Sequence, residues 1–366
     1  MKRYLIIAAI LFCISAALSA QQKIKPGFDP VEFKTLLEIT VRQVDTPWTK
    51  VTLPYPEGYK LAYRSPVVSL DNRWDLWINN DNIAVISVRA TTPTMVSWLA
   101  DFYAGMIAAT GELNVEQGKT FKYKLADLPN AYVHAGWVLG LAGMAPTIKE
   151  KINECYQKGI KDFIIIGYSQ GAAIAFLLRS YLYYDKDIPK DITIKTYCGA
   201  APKPGNQFYA YDYDFITQGG WGLRVVNTED WVPETPFSIE TVNDMPETNP
   251  FSNVNEAFSQ VKKPIVRMVL KSIYRKLFNS TENARKTYTK ILGGRAYKIV
   301  KKTLVNFQEP EYMKSMDYAT AGIPIILKAT PEYYEQYIGK LQNKHVFIHH
   351  MPAAYLFLLD QYYQKK

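Results

Sequence analysis

Histidine is scarce in this chain: 366 residues hold four, His134, His345, His349 and His350. Chemistry that needs an imidazole has few places to find one. Cysteine is scarcer, at three, and no Cys/His spacing fits a zinc site, so no structural metal is expected. Long apolar runs are missing too. The run over residues 5–14 is too short to span a bilayer, which takes about 20 apolar residues, and no later stretch qualifies. Disorder is excluded by a hydrophobic content of 48%, enough for a sizeable core. The length admits one large α/β domain or two smaller ones.

The N-terminus carries a leader pattern. Lys2 and Arg3 precede the apolar run, and small residues from Ser15 to Ala20 follow it. Residues 1–20 therefore read as a signal peptide cleaved near Ala20, which leaves residues 21–366 secreted or periplasmic. A lipid anchor at Cys13 is disfavoured by bulky Phe12 before it. The mature chain keeps Cys155 and Cys198, as one disulfide or two buried thiols. Formal charge is +9, falling to +7 without Lys2 and Arg3. Residues 255–307 hold 13 Lys or Arg against Glu256 and Glu282, a local +11, so the remainder is 7 − 11 = −4. The pattern to explain is a basic segment on a mildly acidic body.

Along the chain, residues 29–45 predict a helix with Asp29 as N-cap and Pro30 at its first position. β-type runs at 60–69 and 74–79 follow a Pro/Gly loop. Residues 83–88 (IAVISV) form a continuous apolar run suited to a strand buried on both faces. Met95, Trp98, Leu99 and Phe102 then fall on one face of a short helix. A long helix is expected from Tyr132 to about Gly159, then strand 162–167, a helix to about Tyr184, and strands at 192–198 and 223–227. From 240 to 315 the rhythm changes to polar loops and basic helices. It resumes with GIPIIL (322–327) and ends in a helix from Pro352. Alternating strands and helices imply an α/β fold with a mostly parallel, doubly wound sheet. The reading is one domain over 21–366 with a helical insertion at about 240–315.

The chemistry centres on residues 164–178, IIIGYSQGAAIAFLL. A β-branched strand, Gly167-Tyr168-Ser169-Gln170-Gly171 and a helical run place Ser169 on a sharp elbow, where flanking glycines let the backbone turn. G-x-S-x-G alone is a weak pattern; its strand-before, helix-after setting raises it. A serine hydroxyl needs a base within hydrogen-bond reach and an acid to orient that base. On such a fold the order is Ser, acid, His, which excludes His134. His350, directly before the last helix, is the first choice, ahead of His349 and His345. Asp230, just after strand 223–227, is the favoured acid; Glu229, Asp212, Asp214 and Asp244 are the other options.

Further motifs join these. Arg89-Ala90-Thr91 is followed by Trp98-Leu99-Ala100-Asp101, and His134-Ala135-Gly136-Trp137 opens a helix. Residues 199–206 form a Gly/Pro loop, Asn227 to Pro233 reads N-T-E-D-W-V-P, and His350 stands five residues before Tyr355. In this order, over about 83–355, they resemble the class 3 lipases, the fungal-type triacylglycerol lipases of the α/β-hydrolase superfamily. The resemblance implies a carboxylic ester hydrolase with catalytic Ser169, Asp230 and His350. It also implies an oxyanion hole from the backbone N–H groups of Thr91 and Gln170, the latter at a helix N-terminus. It places a lid at residues 92–102, a stripe that ordinary core packing would explain equally.

The chain departs from the family at Tyr168, Gln170 and Ala172 around the serine and at Ala90, where a turn glycine is usual. G-Y-S-Q-G-A-A also resembles cutinases, although the Asp230-to-His350 separation and the missing disulfide cysteines argue against them. Within the basic segment, Lys263, Arg267, Lys271 and Arg275 are spaced by four, with Val261, Ile265, Met268, Val269, Ile273 and Leu277 broadly opposite. One reading is a cap that meets an anionic membrane or lipid surface. The other, which charge runs usually bear out, is the solvated face of helices packed on the core. No nucleic-acid partner is expected. The sequence thus leads to a secreted serine ester hydrolase of acylglycerols or related lipid esters, needing no cofactor. Alternatives are a phospholipase A1, a short-chain or cutinase-like esterase, or an inactive lipid-surface-binding protein.

Overall fold

Seven strands lie side by side in chain order in the computed structural model. It describes residues 23–43, 53–340 apart from 117, 252, 254, 255, 257 and 260, and 345–363. The leader residues 1–20 lie outside the described residues. The strands are β1 (Tyr59–Arg64), β2 (Trp74–Asn79), β3 (Ile83–Val88), β4 (Asp162–Tyr168), β5 (Thr193–Gly199), β6 (Gly222–Asn227) and β7 (Ile323–Leu327). The first three pair antiparallel; β3 to β7 are parallel neighbours. Every position of β3 and of β4 is buried, as their unbroken apolar runs require.

The helices are α1 (Pro30–Thr40), α2 (Met95–Phe102), α3 (Ala135–Gln157), α4 (Gln170–Tyr184), α5 (Gln207–Ile216), α6 (Pro264–Tyr288), α7 (Ala296–Thr303), α8 (Pro331–Tyr334) and α9 (Pro352–Tyr363). Each parallel strand adds to the same edge, so right-handed crossovers carry α3, α4 and α5 to one face. The second face is closed by α1 and α9, which pack Phe33, Leu36, Tyr355 and Leu359 against Val85, Ile164 and Ile166. Both faces are therefore covered by helices, although the strands follow one another in chain order. Asp29 caps α1, its carboxylate accepting from the N–H groups of Val31 and Glu32.

The long helix starts three residues later than its sequence suggests. Tyr132–His134 is extended and pairs with Met106–Ala108 and with Gly205 in a small second sheet. His134 ends this strand as the N-cap of α3, its Nδ1 accepting from Trp137 N–H at 3.4 Å. A hairpin, Thr110–Glu116 with Lys119–Lys124, stands nearby. Cys155 and Cys198 are both buried free thiols. In the basic segment, α6 runs through a π-helical turn, Thr289–Arg295, into α7. α7 buries Ala296, Tyr297 and Val300, whereas α6 buries only Glu282 and Arg285.

Candidate active site

The elbow between β4 and α4 is built by close backbone approach. A Cβ on Gly167 would sit 2.1 Å from the Gly171 carbonyl oxygen, and one on Gly171 would sit 2.3 Å from that of Val88. Only glycine fits at either position. Ser169 itself adopts φ 57°, a left-handed conformation that costs energy for any residue with a Cβ. The result holds its hydroxyl clear of the strand, above the C-terminal ends of β3, β4 and β6.

Three sequence-predicted residues from three segments meet there. His350 Nε2 lies 2.8 Å from Ser169 Oγ, and His350 Nδ1 lies 2.7 Å from Asp230 Oδ2. Asp230 is buried at the end of β6; its Oδ1 accepts from Val232 N–H at 3.0 Å, and its Oδ2 also accepts from the Tyr355 hydroxyl at 2.7 Å. With Oδ2 occupied by Tyr355 and Nδ1, the imidazole is oriented with Nε2 toward the serine. The other histidines go elsewhere. His349 Nδ1 pairs with the Tyr333 hydroxyl at 2.7 Å, and the exposed His345 takes the N–H of Phe347 on its own ring nitrogen. His134 is fully buried, which pushes its pKa down to about 3 and keeps it neutral. Among the other acid options, Glu229 accepts from the Tyr334 hydroxyl, Asp212 from Tyr184, and Asp214 from Gly322 N–H. Asp244 closes a capping box with Thr241.

Tyr168, which the sequence marks only as a departure from the family, adds a clamp. Its hydroxyl donates to the His350 carbonyl at 2.6 Å, and its ring lies 5.5 Å from both the imidazole and the Tyr355 ring. Its place beside the serine was visible in the sequence; its reach to a residue 182 positions away was not.

Thr91 and Gln170 converge on α2. The Thr91 hydroxyl donates to Asp101 Oδ2 at 3.0 Å, while Gln170 Nε2 donates to the Ser97 carbonyl at 3.0 Å. Gly171 packs against Val88 and Arg89, which brings the N-terminus of α4 beside the turn that carries Thr91. Ala90 needs no glycine, since its φ is not positive. Asp101 as a whole is half-buried, but its carboxylate is enclosed. Burial pushes its pKa up to about 6, against hydrogen bonds from Gln170, Trp137 and Thr91 and the charge of His350. Asp71 behaves oppositely: the upward push of burial is outweighed by the Thr92 and Thr94 hydroxyls and by Arg89, and its pKa falls. Aromatic rings lie beside His350. Phe347 packs 6.0 Å from the His350 ring, 5.3 Å from Trp231 and 5.9 Å from Trp98, with Met95, Phe102 and Met351 exposed nearby in sequence.

Residues 85–240 match the family model described as Lipase (class 3). This stretch belongs to the class 3 lipase family. That match supports a lipase-like carboxylic ester hydrolase. The sequence matches none of the curated proteins. Similar solved structures include a Rhizomucor miehei triacylglyceride lipase, 16% identical with a TM-score of 0.43 over 58% of this chain and 77% of that one. A lipase from Yarrowia lipolytica is 16% identical, TM-score 0.41, over 59% and 78%. A triacylglycerol lipase from Penicillium expansum is 16% identical, TM-score 0.41, over 57% and 75%.

Proposed function

We propose that this class 3 lipase relative is an exported serine hydrolase of acylglycerols or related lipid esters. On this reading residues 21–366 form one domain with an insertion at about 240–315. The observation that carries it is the unbroken hydrogen-bonded line from Ser169 through His350 to Asp230. His350 Nε2 takes the Ser169 proton as Oγ attacks the ester carbonyl, and Asp230 balances the imidazolium that forms. The backbone N–H groups of Thr91 and Gln170 receive the oxyanion. His350 then delivers its proton to the leaving alkoxide, freeing the alcohol and leaving an acyl-serine. A water, deprotonated by His350, attacks that ester; collapse releases the carboxylic acid and returns the proton to Ser169. Every step uses the chain's own groups and water.

The apolar rings of Trp98, Trp231 and Phe347 beside the base suit an acyl chain better than a polar substrate. Export rests on the leader pattern of residues 1–20. The partner that suits the basic residues 255–307 is an anionic membrane or lipid surface, where such a substrate lies. A panel of nitrophenyl esters, short to long, tests the mechanism with Ser169→Ala beside the wild type. The expected loss in kcat is about 10⁴–10⁶-fold; undiminished hydrolysis by the variant would sink the reading. His350→Ala should be as inactive, while His349→Ala keeps most activity.

A further inference from the structure

The first turns of α6 present an apolar face that nothing among the described residues covers. Val266, Val269, Ile273 and Leu277 are three or four apart and share one side of the helix, with Ile265 at its edge. Ile265 is 73% exposed, Leu277 64% and Ile273 50%, values that belong to surface polar residues rather than to a core-facing stripe. Arg267, Lys271 and Arg275 run along the other side at intervals of four. Support comes from that side: Arg267 Nη2 donates to the Val261 carbonyl at 2.7 Å, and the Tyr274 hydroxyl donates to that of Phe251 at 2.9 Å.

The far end of α6 is fixed. Glu282 and Arg285 form a buried pair at 3.0 Å, and Asn243 Nδ2 donates to Glu282 Oε1 at 3.0 Å. Beyond them, Gly105 N–H donates to the Leu292 carbonyl at 3.1 Å, and a Cβ on Gly105 would sit 2.8 Å from Gly293 Cα. The helix therefore stands on a base attached to the segment just after α2, with its apolar side free.

We infer that α6 is an interfacial anchor whose apolar face enters the headgroup–acyl boundary of an anionic lipid surface while the basic side chains of the segment meet its headgroups. Charge selects this occupant. Residues 255–307 carry +11 in a chain of +9, leaving 9 − 11 = −2 for everything else, so the attraction to an anionic surface is concentrated at the apolar face. A second copy docked through the same face would set +11 against +11. From Ile265 to Leu277 the face is about 18 Å long at 1.5 Å per residue. No helix among the described residues is long and apolar enough to cross a membrane, so α6 lies in the surface plane. The inference rests on the hydrolase reading only in that a lipid-ester substrate gives the surface its purpose.

Co-sedimentation of the full chain with vesicles of phosphatidylcholine containing about 30% phosphatidylglycerol tests it, beside pure phosphatidylcholine and added salt. The wild type should bind the anionic vesicles and lose affinity with salt. Ile273→Glu with Leu277→Glu should cut binding at least tenfold while hydrolysis of a soluble nitrophenyl ester stays unchanged. In a second measurement, a fluorophore on Ile273→Cys should brighten with vesicles, whereas one on Asn279→Cys, on the basic side, should not. Equal binding by the double variant, no binding by the wild type, or a dimer that the double variant dissociates would each overturn the anchor. Failure of the two readings is separable. Vesicle binding without ester cleavage removes the hydrolase alone; soluble-ester cleavage without vesicle binding removes the anchor alone.

Discussion

Helices α2 and α6 carry the same kind of apolar stripe in sequence and meet opposite surroundings. α2 buries Ser97, Leu99 and Ala100, and its backbone presses on α3 so closely that a Cβ on Gly136 would lie 2.1 Å from the Ala100 carbonyl oxygen. Polar contacts hold it as well, with Asp101 receiving Thr91 and Trp137, and Ser97 receiving Gln170. α6 buries only two residues, both charged and both near its end. Periodicity says which residues share a face; close backbone approach and polar anchors decide what that face meets. α2 is thus packed beside Ser169's elbow, joined to both residues proposed as oxyanion donors, and α6 is the element left to meet something outside the chain.

Substitutions on the two helices can break this contrast. Leu99→Ala should destabilise by about 2–4 kcal/mol in chemical denaturation, since it removes a buried side chain from a packed wall. Asp101→Asn should act through pH. The folded carboxyl titrates near 6 against an ordinary 3.8, so the folded state holds its proton more tightly than the unfolded state. Wild-type stability is then unpenalised below about pH 4, falls as pH rises to about 6, and levels off above. The asparagine variant should flatten that slope and gain about 1–3 kcal/mol at pH 8 relative to pH 4. Ile273→Ala on α6 should shift stability by no more than about 0.5 kcal/mol. A large loss at Ile273 would mean that its face is covered after all.

Much of the site was legible because order restricts it. The elbow, the acid loop at Asp230 and a late histidine each read weakly alone, and their sequence along the chain made them specific. Position directly before the last helix favours His350 over its neighbour, and the fold supplies the physical reason: the 3₁₀ turn Ile348–His350 points one imidazole at Ser169 and the other at Tyr333. Residues 103–131 gave no reading: Met106–Ala108 is a three-residue strand too short to show a period, and the seven-residue hairpin strand Thr110–Glu116 buries only Leu113, so it carries no apolar alternation. Tyr168, Tyr355 and Asp101 were visible in motifs, yet their partners lie far along the chain or on another element, where spacing carries no information. The basic segment was read more readily as a solvated face on packed helices. α7 fits that description and α6 does not, since its apolar side is the exposed one.

The one-way winding of the sheet has a consequence for the order in which the protein is made. Ser169 and Asp230 emerge with the middle strands, but His350 and Tyr355 belong to the segment that closes the second face beside α1. On the proposed mechanism, a nascent chain therefore carries Ser169 and Asp230 for more than a hundred residues before His350 can join them. The proposed triad is therefore complete only once the segment that closes the second face is in place.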